Sequence, residues 1–396
     1  MKTTMSSRER MLTAIGCGEP DHVPLWFRWV GLGNEETYGE KAEPRWTKWK
    51  DARYRIKVLL EMGLDESVLV HAPSGSEGAA RLIETRCWRV HESGNRYPLL
   101  VKEYDTPEGP LRQIVCVTDD WPHGDDIPLL GDHNVSRCVE HAVETEQDVE
   151  KIKYLFAPPS ADEIAQSRER ALVAKAFAEE HQVLLEGGFI SLGDVAVWLC
   201  GVERVALWAV DRPDLLRRLL DIIFEWSKPK VEFLLDSGVD VVKHRAWYEI
   251  ADFWGVSGYR RFLKPLLSKE VEWVHQAGAK FRYVLSKSVS PLLDDFLDLG
   301  IDALFGIDPV QDDVDLDGVK GRTRGRMCLY GGLNSAISMR EWEPDEISRA
   351  VGQAIEALAP GGGYVLSVVD SMYSDARWEN FMALVEEWRR LGSYPI

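Results

Sequence analysis

The amino-acid sequence predicts an α/β fold, a (β/α)8 barrel of the TIM type with a β-hairpin insertion. Two observations lead to this prediction. An amphipathic helical run, a glycine and a short β-branched strand recur in that order along the chain, and one segment interrupts them with extended runs. A chain of 396 residues with 45% apolar side chains is long enough to bury one large core.

Each recurring unit places a glycine where its helix should end. Glycine adopts the left-handed conformation that terminates a helix without a steric cost. Helices that alternate with strands favour a parallel sheet covered on its faces. The glycines are Gly63, Gly238, Gly278, Gly300 and Gly361, and the strand sequences after them are SVLVH, VVKH, FRYVL, ALFGID and YVLSVVD.

Three more strands complete a set of eight: residues 24–29, 182–186 and 326–330. Two helix starts are also predicted. Ser6 to Glu9 has the sequence of a capping box, and Pro213 begins a long run with apolar residues at helical spacing. A Gly-x-Gly-x-x-Gly turn and a phosphate-binding loop are both missing from the sequence. The pattern therefore favours a barrel over an open nucleotide-binding sheet.

Residues 83–118 read as extended runs separated by turn residues, followed by an acidic loop. We predict an inserted β-hairpin subdomain over about residues 83–132. The absence of a Gly/Ser linker favours one domain over residues 1–396, and a boundary near residue 150 is the alternative.

The charge balance limits the partners of the chain. Its 65 acidic and 47 basic residues give a net charge of -18, which repels nucleic-acid backbones and anionic membranes. Residues 1–10 are polar and lack an apolar targeting segment, so we expect a cytoplasmic protein that binds a small-molecule substrate. The six cysteines show no zinc-ribbon or disulfide spacing.

In a barrel of this type, catalytic groups stand at the carboxyl ends of the strands. An imidazole, a guanidinium and two aromatic rings follow one strand within five residues, which suits acid-base and anion-binding chemistry. The alternative for each candidate is a capping or turn role, as for Asp308 before Pro309. We predict His244, Asp370 and Tyr248 as catalytic residues, and Arg28, Trp29, Glu186, Arg245, Trp247, Tyr283, Asp308 and Asn334 as substrate-binding residues.

Several short blocks along the chain occur in the order known from one superfamily. The chain resembles the uroporphyrinogen decarboxylases and the cobalamin-linked methyltransferases related to them, over nearly its whole length. The blocks that carry the resemblance are residues 7–12 (SRERML), 19–24 (EPDHVP), 259–266 (YRRFLKPL), 275–280 (HQAGAK), 291–295 (PLLDD) and 331–334 (GGLN).

The sequence also departs from the motifs of that superfamily. Where the decarboxylases carry Arg-Gln-Ala-Gly-Arg, this chain has Phe27-Arg28-Trp29-Val30-Gly31, so only Arg28 matches and tetrapyrrole decarboxylation is disfavoured. Where the thiol-methylating members carry His-x-Cys and a late Cys as zinc ligands, it has Val284-Leu285-Ser286 and Asp370. We expect no metal ligand set and no tightly bound zinc of the thiolate type.

The resemblance implies a methyltransferase-like enzyme. Such a protein moves a methyl group from a small methoxylated or methylated substrate to a corrinoid, held by a corrinoid-binding partner protein. A methyl ether requires an acid for its oxygen, and His244, Tyr248 or Asp370 could provide one. The alternatives are a cofactor-independent decarboxylase or lyase of a carboxylated, tetrapyrrole-like substrate, and a non-catalytic ligand-binding barrel.

Overall fold

The computed structural model describes residues 3–32, 43–91, 94 and 96–396. Within these residues, a parallel sheet curls into a barrel and a separate antiparallel sheet is inserted between its second and third strands. The strands are β1 (Val30–Leu32), β2 (Ser67–Val70), β3 (Glu84–Val90), β4 (Leu99–Thr106), β5 (Gly109–Cys116), β6 (Cys138–Glu140), β7 (Leu184–Ile190), β8 (Val241–Ala246), β9 (Lys280–Leu285), β10 (Ala303–Ile307), β11 (Cys328–Asn334), β12 (Tyr364–Val369) and β13 (Met372–Tyr373).

Helices follow or precede nearly every barrel strand. They are α1 (Ser7–Ile15), α2 (Pro44–Lys48), α3 (Ala52–Glu61), α4 (Ser76–Ala80), α5 (Asp132–Val135), α6 (Glu146–Lys151), α7 (Ala161–His181), α8 (Gly193–Cys200), α9 (Val202–Asp211), α10 (Pro213–Asp236), α11 (Ala251–Gly258), α12 (Lys264–Gln276), α13 (Val289–Leu299), α14 (Leu316–Thr323), α15 (Ser338–Glu341), α16 (Pro344–Leu358) and α17 (Trp378–Leu391). None of them, in the part of the chain that is described, is long and apolar enough to cross a membrane.

Seven parallel strands form the barrel sheet in the order β12-β11-β10-β9-β8-β7-β2. The eighth position is taken by residues 24–27, which we call the first barrel segment. Its backbone exchanges hydrogen bonds with Leu366 of β12, since Trp26 donates to the Leu366 carbonyl at 3.1 Å and Leu366 donates to Pro24 at 2.9 Å. On the other side, Asp65 donates to the Leu25 carbonyl at 2.8 Å. The predicted TIM-type fold is confirmed.

The glycines predicted to end helices adopt a left-handed conformation at all five positions. The five glycines have φ values of 84°, 74°, 79°, 75° and 77°, and each lies shortly before a barrel strand. The capping box at Ser6 and the helix start at Pro213 are also found. Strands β7 and β11 each begin two residues later than predicted and extend further, to Ile190 and Asn334.

The insertion is larger than the hairpin that we predicted. Strands β3, β4, β5 and β6 form a four-stranded antiparallel sheet, with β3–β4 and β4–β5 paired over seven and eight residue pairs. The sheet extends to Glu140, beyond the predicted limit at residue 132. Strand β6 has only three residues, too few to show an alternating pattern in the sequence. The single-domain organisation stays a prediction.

The barrel interior combines apolar and charged side chains. Trp26, Phe305 and Tyr330 belong to one buried cluster, and the Trp26 ring meets the other two edge to face at 6.2 and 5.9 Å. Arg282 lies fully buried over the rings of Trp26 and Tyr330. A charge in the barrel interior requires a buried partner of opposite charge. The partner of Arg282 is Glu186.

Candidate functional site

A cavity of about 510 Å³ lies along the seam between the first barrel segment and β2. The seam is open there because the backbone bonds between the two elements stop near Leu25. Helices α3 and α7 line the outer part of the cavity. Among the described residues, its aromatic walls are Trp26, Phe27, Trp29 and Phe177. Two predicted binding residues, Arg28 and Trp29, therefore share one cavity.

The cavity is cationic although the chain as a whole is strongly acidic. Its described lining has five Lys or Arg side chains against two carboxylates, with His71 in addition. A concave wall that gathers one sign of charge concentrates ligands of the opposite sign. The cationic residues are Arg28, Arg53, Arg55, Arg170 and Lys243, and the acidic residues are Glu66 and Glu169.

Two buried groups in the cavity wall have shifted pKa values. Burial raises the pKa of Glu66 to about 7, against the opposing charge of Arg55. Burial also lowers the pKa of Lys243 to about 8, against the opposing charge of Glu186. Displaced pKa values in a cavity are typical of functional sites.

Beneath the cavity, Glu186 holds two cations inside the barrel. Its carboxylate lies 3.0 Å from the Lys243 ammonium and 2.9 Å from the Arg282 guanidinium. The Arg282 guanidinium also lies over the rings of Trp26 and Tyr330, at 4.6 and 5.0 Å. All of these side chains are buried, so the ion pairs are shielded from water.

At the rim of the cavity, Arg28 connects two other predicted residues. Its guanidinium lies 4.9 Å from the centre of the Trp247 ring and 3.9 Å from the Asp370 carboxylate. Tyr373 donates to Asp370 at 2.8 Å. Asp370 has a φ of 72°, an uncommon conformation for a residue with a side chain. Such conformations are concentrated at functional sites, which favours Asp370 as a site residue.

Arg245 stands on the same rim between two carboxylates. It is ion-paired with the buried Asp194, and Asp132 of the insertion binds it at 2.7 Å. Its guanidinium lies over the rings of Trp198 and Tyr248, at 4.9 and 5.6 Å. Burial raises the pKa of Asp194 to about 7, although Arg245 opposes the shift. The insertion thus contributes a side chain to the rim of the site.

His244 lies elsewhere, contrary to our expectation that it accompanies Arg245. Side chains alternate along a strand, so Lys243 and Arg245 share the inner face of β8 while His244 faces the outer helices. There its two ring nitrogens lie 3.0 Å from the carboxylates of Glu249 and Glu270. The ring is fully buried, and the two carboxylates raise its pKa well above the usual value, against burial. Its catalytic role stays a prediction.

Tyr283 belongs to the same outer layer. Its ring stacks on His244 at 5.4 Å, and its hydroxyl donates to Glu249 at 2.5 Å. The Glu249 carboxylate also accepts the backbone N–H of Gly193 at 2.6 Å. Strand alternation thus places Tyr283 with His244 and away from the cavity. Its predicted binding role stays a prediction.

Asp308 and Asn334 are paired with each other rather than with the cavity. The Asn334 amide donates to Asp308 at 2.6 Å, and Asp308 also accepts the backbone N–H of Val310 at 2.8 Å. The Asn334 carbonyl oxygen accepts the N–H of Ile337 at 2.6 Å. These bonds order the loops after β10 and β11, which is the turn role that we gave as the alternative. Their predicted binding role remains a prediction.

Residues 131–391 match the model of the uroporphyrinogen decarboxylase (URO-D) family, which is more than half of the chain. The chain belongs to this family. The comparison with curated proteins found no match.

Solved structures with a similar fold include a methyltransferase. A methyltransferase from Methanosarcina mazei has a TM-score of 0.59 and 19% identity, over 98% of this chain and 99% of that chain. A putative vitamin-B12 independent methionine synthase from Listeria monocytogenes has a TM-score of 0.43 and 12% identity, over 93% and 98% of the two chains. A B12-independent methionine synthase from Shewanella sp. W3-18-1 has a TM-score of 0.40 and 10% identity, over 94% and 96%.

The zinc positions of thiol-methylating URO-D relatives hold other side chains here. Val284 is buried in the apolar barrel interior, and the Ser286 hydroxyl donates to the Trp247 carbonyl at 2.7 Å. The third position is Asp370 on the rim. Valine has no donor atom and the serine hydroxyl is already used, so these residues do not form a zinc-thiolate ligand set. In the described part of the chain, no group of three or more His, Cys, Asp or Glu is placed to hold a metal.

Three residues of the site in this URO-D member were not predicted from the sequence: Lys243, Asp194 and Asp132. Lys243 had a usable signal, since a lysine inside the strand VVKHRA is two residues from Arg245 and so on the same face. Asp194 and Asp132 had none, because they reach Arg245 across 51 and 113 residues of sequence.

Proposed function

We propose that this chain transfers a methyl group from a small anionic, methoxylated or methylated molecule to a corrinoid carried by a partner protein. The observation that carries the proposal is the cavity of cationic and aromatic side chains along the seam of the barrel, where Arg28, Trp29 and His71 follow the carboxyl ends of the first barrel segment and of β2. This end of a TIM barrel is where active sites are found. The fold shared with the Methanosarcina mazei methyltransferase supports the choice of reaction.

The cavity walls suit a ligand with a negative group and a flat apolar part. Arginine binds carboxylates through two parallel N–H bonds, and Arg28 points its guanidinium between the cavity and the rim. The indole rings of Trp26 and Trp29 and the ring of Phe177 provide the apolar walls. A substituted aromatic carboxylate has both properties, and we use that class as the probe.

Removal of a methyl group from an ether places specific demands on the site. The C–O bond breaks while its electron pair stays on oxygen, so the oxygen needs a proton as the methyl group leaves. Asp370 and Tyr248 stand on the rim as two of the acids predicted from the sequence. His244 is fully buried outside the cavity, between the carboxylates of Glu249 and Glu270.

The nucleophile that accepts the methyl group would be a reduced corrinoid on the partner protein. The partner would bring it to the rim, where Trp198, Trp247 and Tyr248 are only partly buried. Large flat rings such as these suit contact with a macrocycle. The zinc positions do not provide thiolate or imidazole ligands, so we derive no step through zinc.

The test uses the purified chain with cob(I)alamin as the probe acceptor. Candidate donors are the three methoxybenzoates, methoxyacetate and 3-(methylthio)propionate. We expect loss of the cob(I)alamin absorbance with release of an equal amount of the demethylated acid, measured by chromatography. Arg28→Met should raise KM for the active donor about tenfold or more, because it removes a charged hydrogen-bond donor. The matched control is Arg86→Met, at an exposed arginine of β3.

A cationic cavity also suits a lyase that acts on a carboxylated substrate, the alternative given from the sequence. The same donors separate the two reactions, because decarboxylation releases CO₂ without consuming cob(I)alamin. CO₂ release with unchanged cob(I)alamin would replace methyl transfer by a lyase reaction. Neither product from any donor would contradict the proposed function.

A further inference from the structure

Lys243 is a buried ammonium in the wall of the cavity, and the reaction proposed above does not yet use it. It projects from the middle of β8, on the same face as Arg245 and below the rim. Asp370 and Tyr248 do not line this cavity among its described wall residues. A methyl ether held between Arg28 and the aromatic walls would thus meet Lys243 before either rim acid.

We propose that Lys243 is the proton donor to the leaving oxygen of the methylated substrate, and that Glu186 and Arg282 are its positioning residues. This inference rests on the proposed methyl transfer. The bond between methyl carbon and oxygen breaks, and the methyl group passes to the nucleophilic cobalt(I) corrinoid. The electron pair stays on oxygen, which takes the proton of the Lys243 ammonium. The products are a hydroxyl compound and a neutral amine, which regains a proton from water.

The positioning residues keep the ammonium in one place. Glu186 lies 3.0 Å from the Lys243 nitrogen and 2.9 Å from Arg282. Arg282 is fixed in turn, because its guanidinium lies over the rings of Trp26 and Tyr330. A donor that is held before the substrate arrives loses little entropy in the reaction.

The charges that face Lys243 also set its acidity. Its pKa is lowered to about 8, by burial first and then by the nearby charges of Arg282 and Arg28. The charge of Glu186 opposes this shift. An ammonium with this pKa is protonated at neutral pH and is a stronger acid than an ordinary lysine, which suits a general acid. Across the cavity, the other charged or titratable lining groups are Glu66, His71, Glu169, Arg170, Arg53 and Arg55.

The first experiment measures the contact without requiring turnover. The probe is 4-hydroxy-3-nitrobenzoate, an analogue of the demethylated product whose phenol and phenolate forms differ in visible absorbance. An ammonium beside the oxygen favours the phenolate, so wild-type protein should lower the apparent pKa of the bound phenol by about one unit or more. Lys243→Met should abolish this shift, and Lys57→Met, at an exposed lysine of α3, should preserve it.

The second experiment separates charge from proton donation. Lys243→Arg keeps a cation beside Glu186, but a guanidinium does not release its proton. We expect Lys243→Arg to retain the shift of the probe while its kcat falls about 100-fold or more with a methoxylated donor, at a KM within threefold. In wild-type protein, kcat should decrease above about pH 8, where Lys243 loses its proton. The residual activity of both Lys243 variants should not show this decrease.

The outcomes distinguish this inference from the proposed function. If wild-type protein consumes cob(I)alamin and Lys243→Arg does so at the same rate, the donor role of Lys243 is overturned and methyl transfer stands. If the probe shift is equal in wild type and in a folded Lys243→Met variant, the contact itself is overturned. If the shift depends on Lys243 but no donor is demethylated, the proposed function fails and the donor role fails with it.

Discussion

The Lys243 ammonium and the Glu186 carboxylate lie 3.0 Å apart inside the barrel, on the neighbouring strands β8 and β7. The carboxylate has no exposed surface and the ammonium almost none. Burial of a single charge costs several kcal/mol, so each group depends on the other. Glu186 has a second cationic neighbour in Arg282, which makes it the shared anion of two buried cations.

We therefore expect Glu186→Gln to be strongly destabilising. The variant leaves Lys243 and Arg282 buried without a counter-charge, which should lower the free energy of unfolding by about 3–5 kcal/mol. Chemical denaturation measures the change. Glu150→Gln removes the ion pair of Glu150 with Arg218 at a surface position and should cost less than about 1 kcal/mol. Equal losses in the two variants would show that the interior charges are not coupled.

His244 provides a prediction about pH. Its pKa in the folded chain is raised well above the usual 6.5 by Glu270 and Glu249, so the folded state binds a proton that the unfolded state releases above that pH. The stability due to His244 is fully present below about pH 6.5 and is lost as pH rises through the raised pKa. The loss of unfolding free energy in His244→Gln should thus be larger at pH 6 than at pH 9.

Denaturation of wild type and variant at both pH values gives that difference. The same measurements on His133→Gln, at an exposed histidine of α5, provide the matched control. A His244→Gln variant with wild-type stability at both pH values, but without turnover, would instead support the catalytic role predicted from the sequence.

The barrel could be predicted because single glycines mark the ends of its helices in the sequence. Gly63 and Gly300, for example, occupy left-handed conformations that few other residues tolerate, and each precedes a strand. The first barrel segment shows little of its role in sequence, since only a few backbone bonds connect it to Leu366 and Asp65. Strand β6 is held by its neighbour β5 and not by its own pattern.

The site was less predictable than the barrel. Proximity in sequence suggested that His244 and Arg245 act together, whereas strand alternation separates them and pairs Lys243 with Arg245. That alternation was available from the sequence. The approach of Asp132 to Arg245 was not, because it depends on how the inserted sheet folds over the rim.

Metal analysis tests the expectation about zinc. Zinc prefers thiolate and imidazole ligands, and the corresponding positions hold Val284, Ser286 and Asp370. Protein purified without chelator should contain no stoichiometric zinc that depends on these positions. Elemental analysis of wild type, Ser286→Ala and Asp370→Asn makes the comparison. One zinc per chain in wild type that is lost in either variant would contradict the prediction, whereas zinc that survives in both would bind elsewhere.

Our last prediction is that Asp132 competes with an anionic ligand for Arg245. Asp194 holds Arg245 from inside with no exposure, whereas half of the Asp132 side chain is exposed. The outer face of the guanidinium is therefore occupied by a carboxylate that a ligand carboxylate could replace. Asp132→Asn weakens this competitor and removes a negative charge from the rim. We expect it to bind benzoate about three- to tenfold more tightly, equivalent to about 1 kcal/mol.

Calorimetric titration with benzoate at low and physiological salt measures this affinity, and the gain should be larger at low salt because exposed charges are screened. Asp125→Asn is the matched control, since Asp125 also belongs to the insertion and pairs with Arg89, but is mostly exposed. It should leave the affinity unchanged. Weaker binding by Asp132→Asn would mean that Asp132 orients Arg245 for the ligand instead of competing with it. The inserted sheet would then belong to the binding site as a support for Arg245, and its removal should weaken anion binding rather than strengthen it.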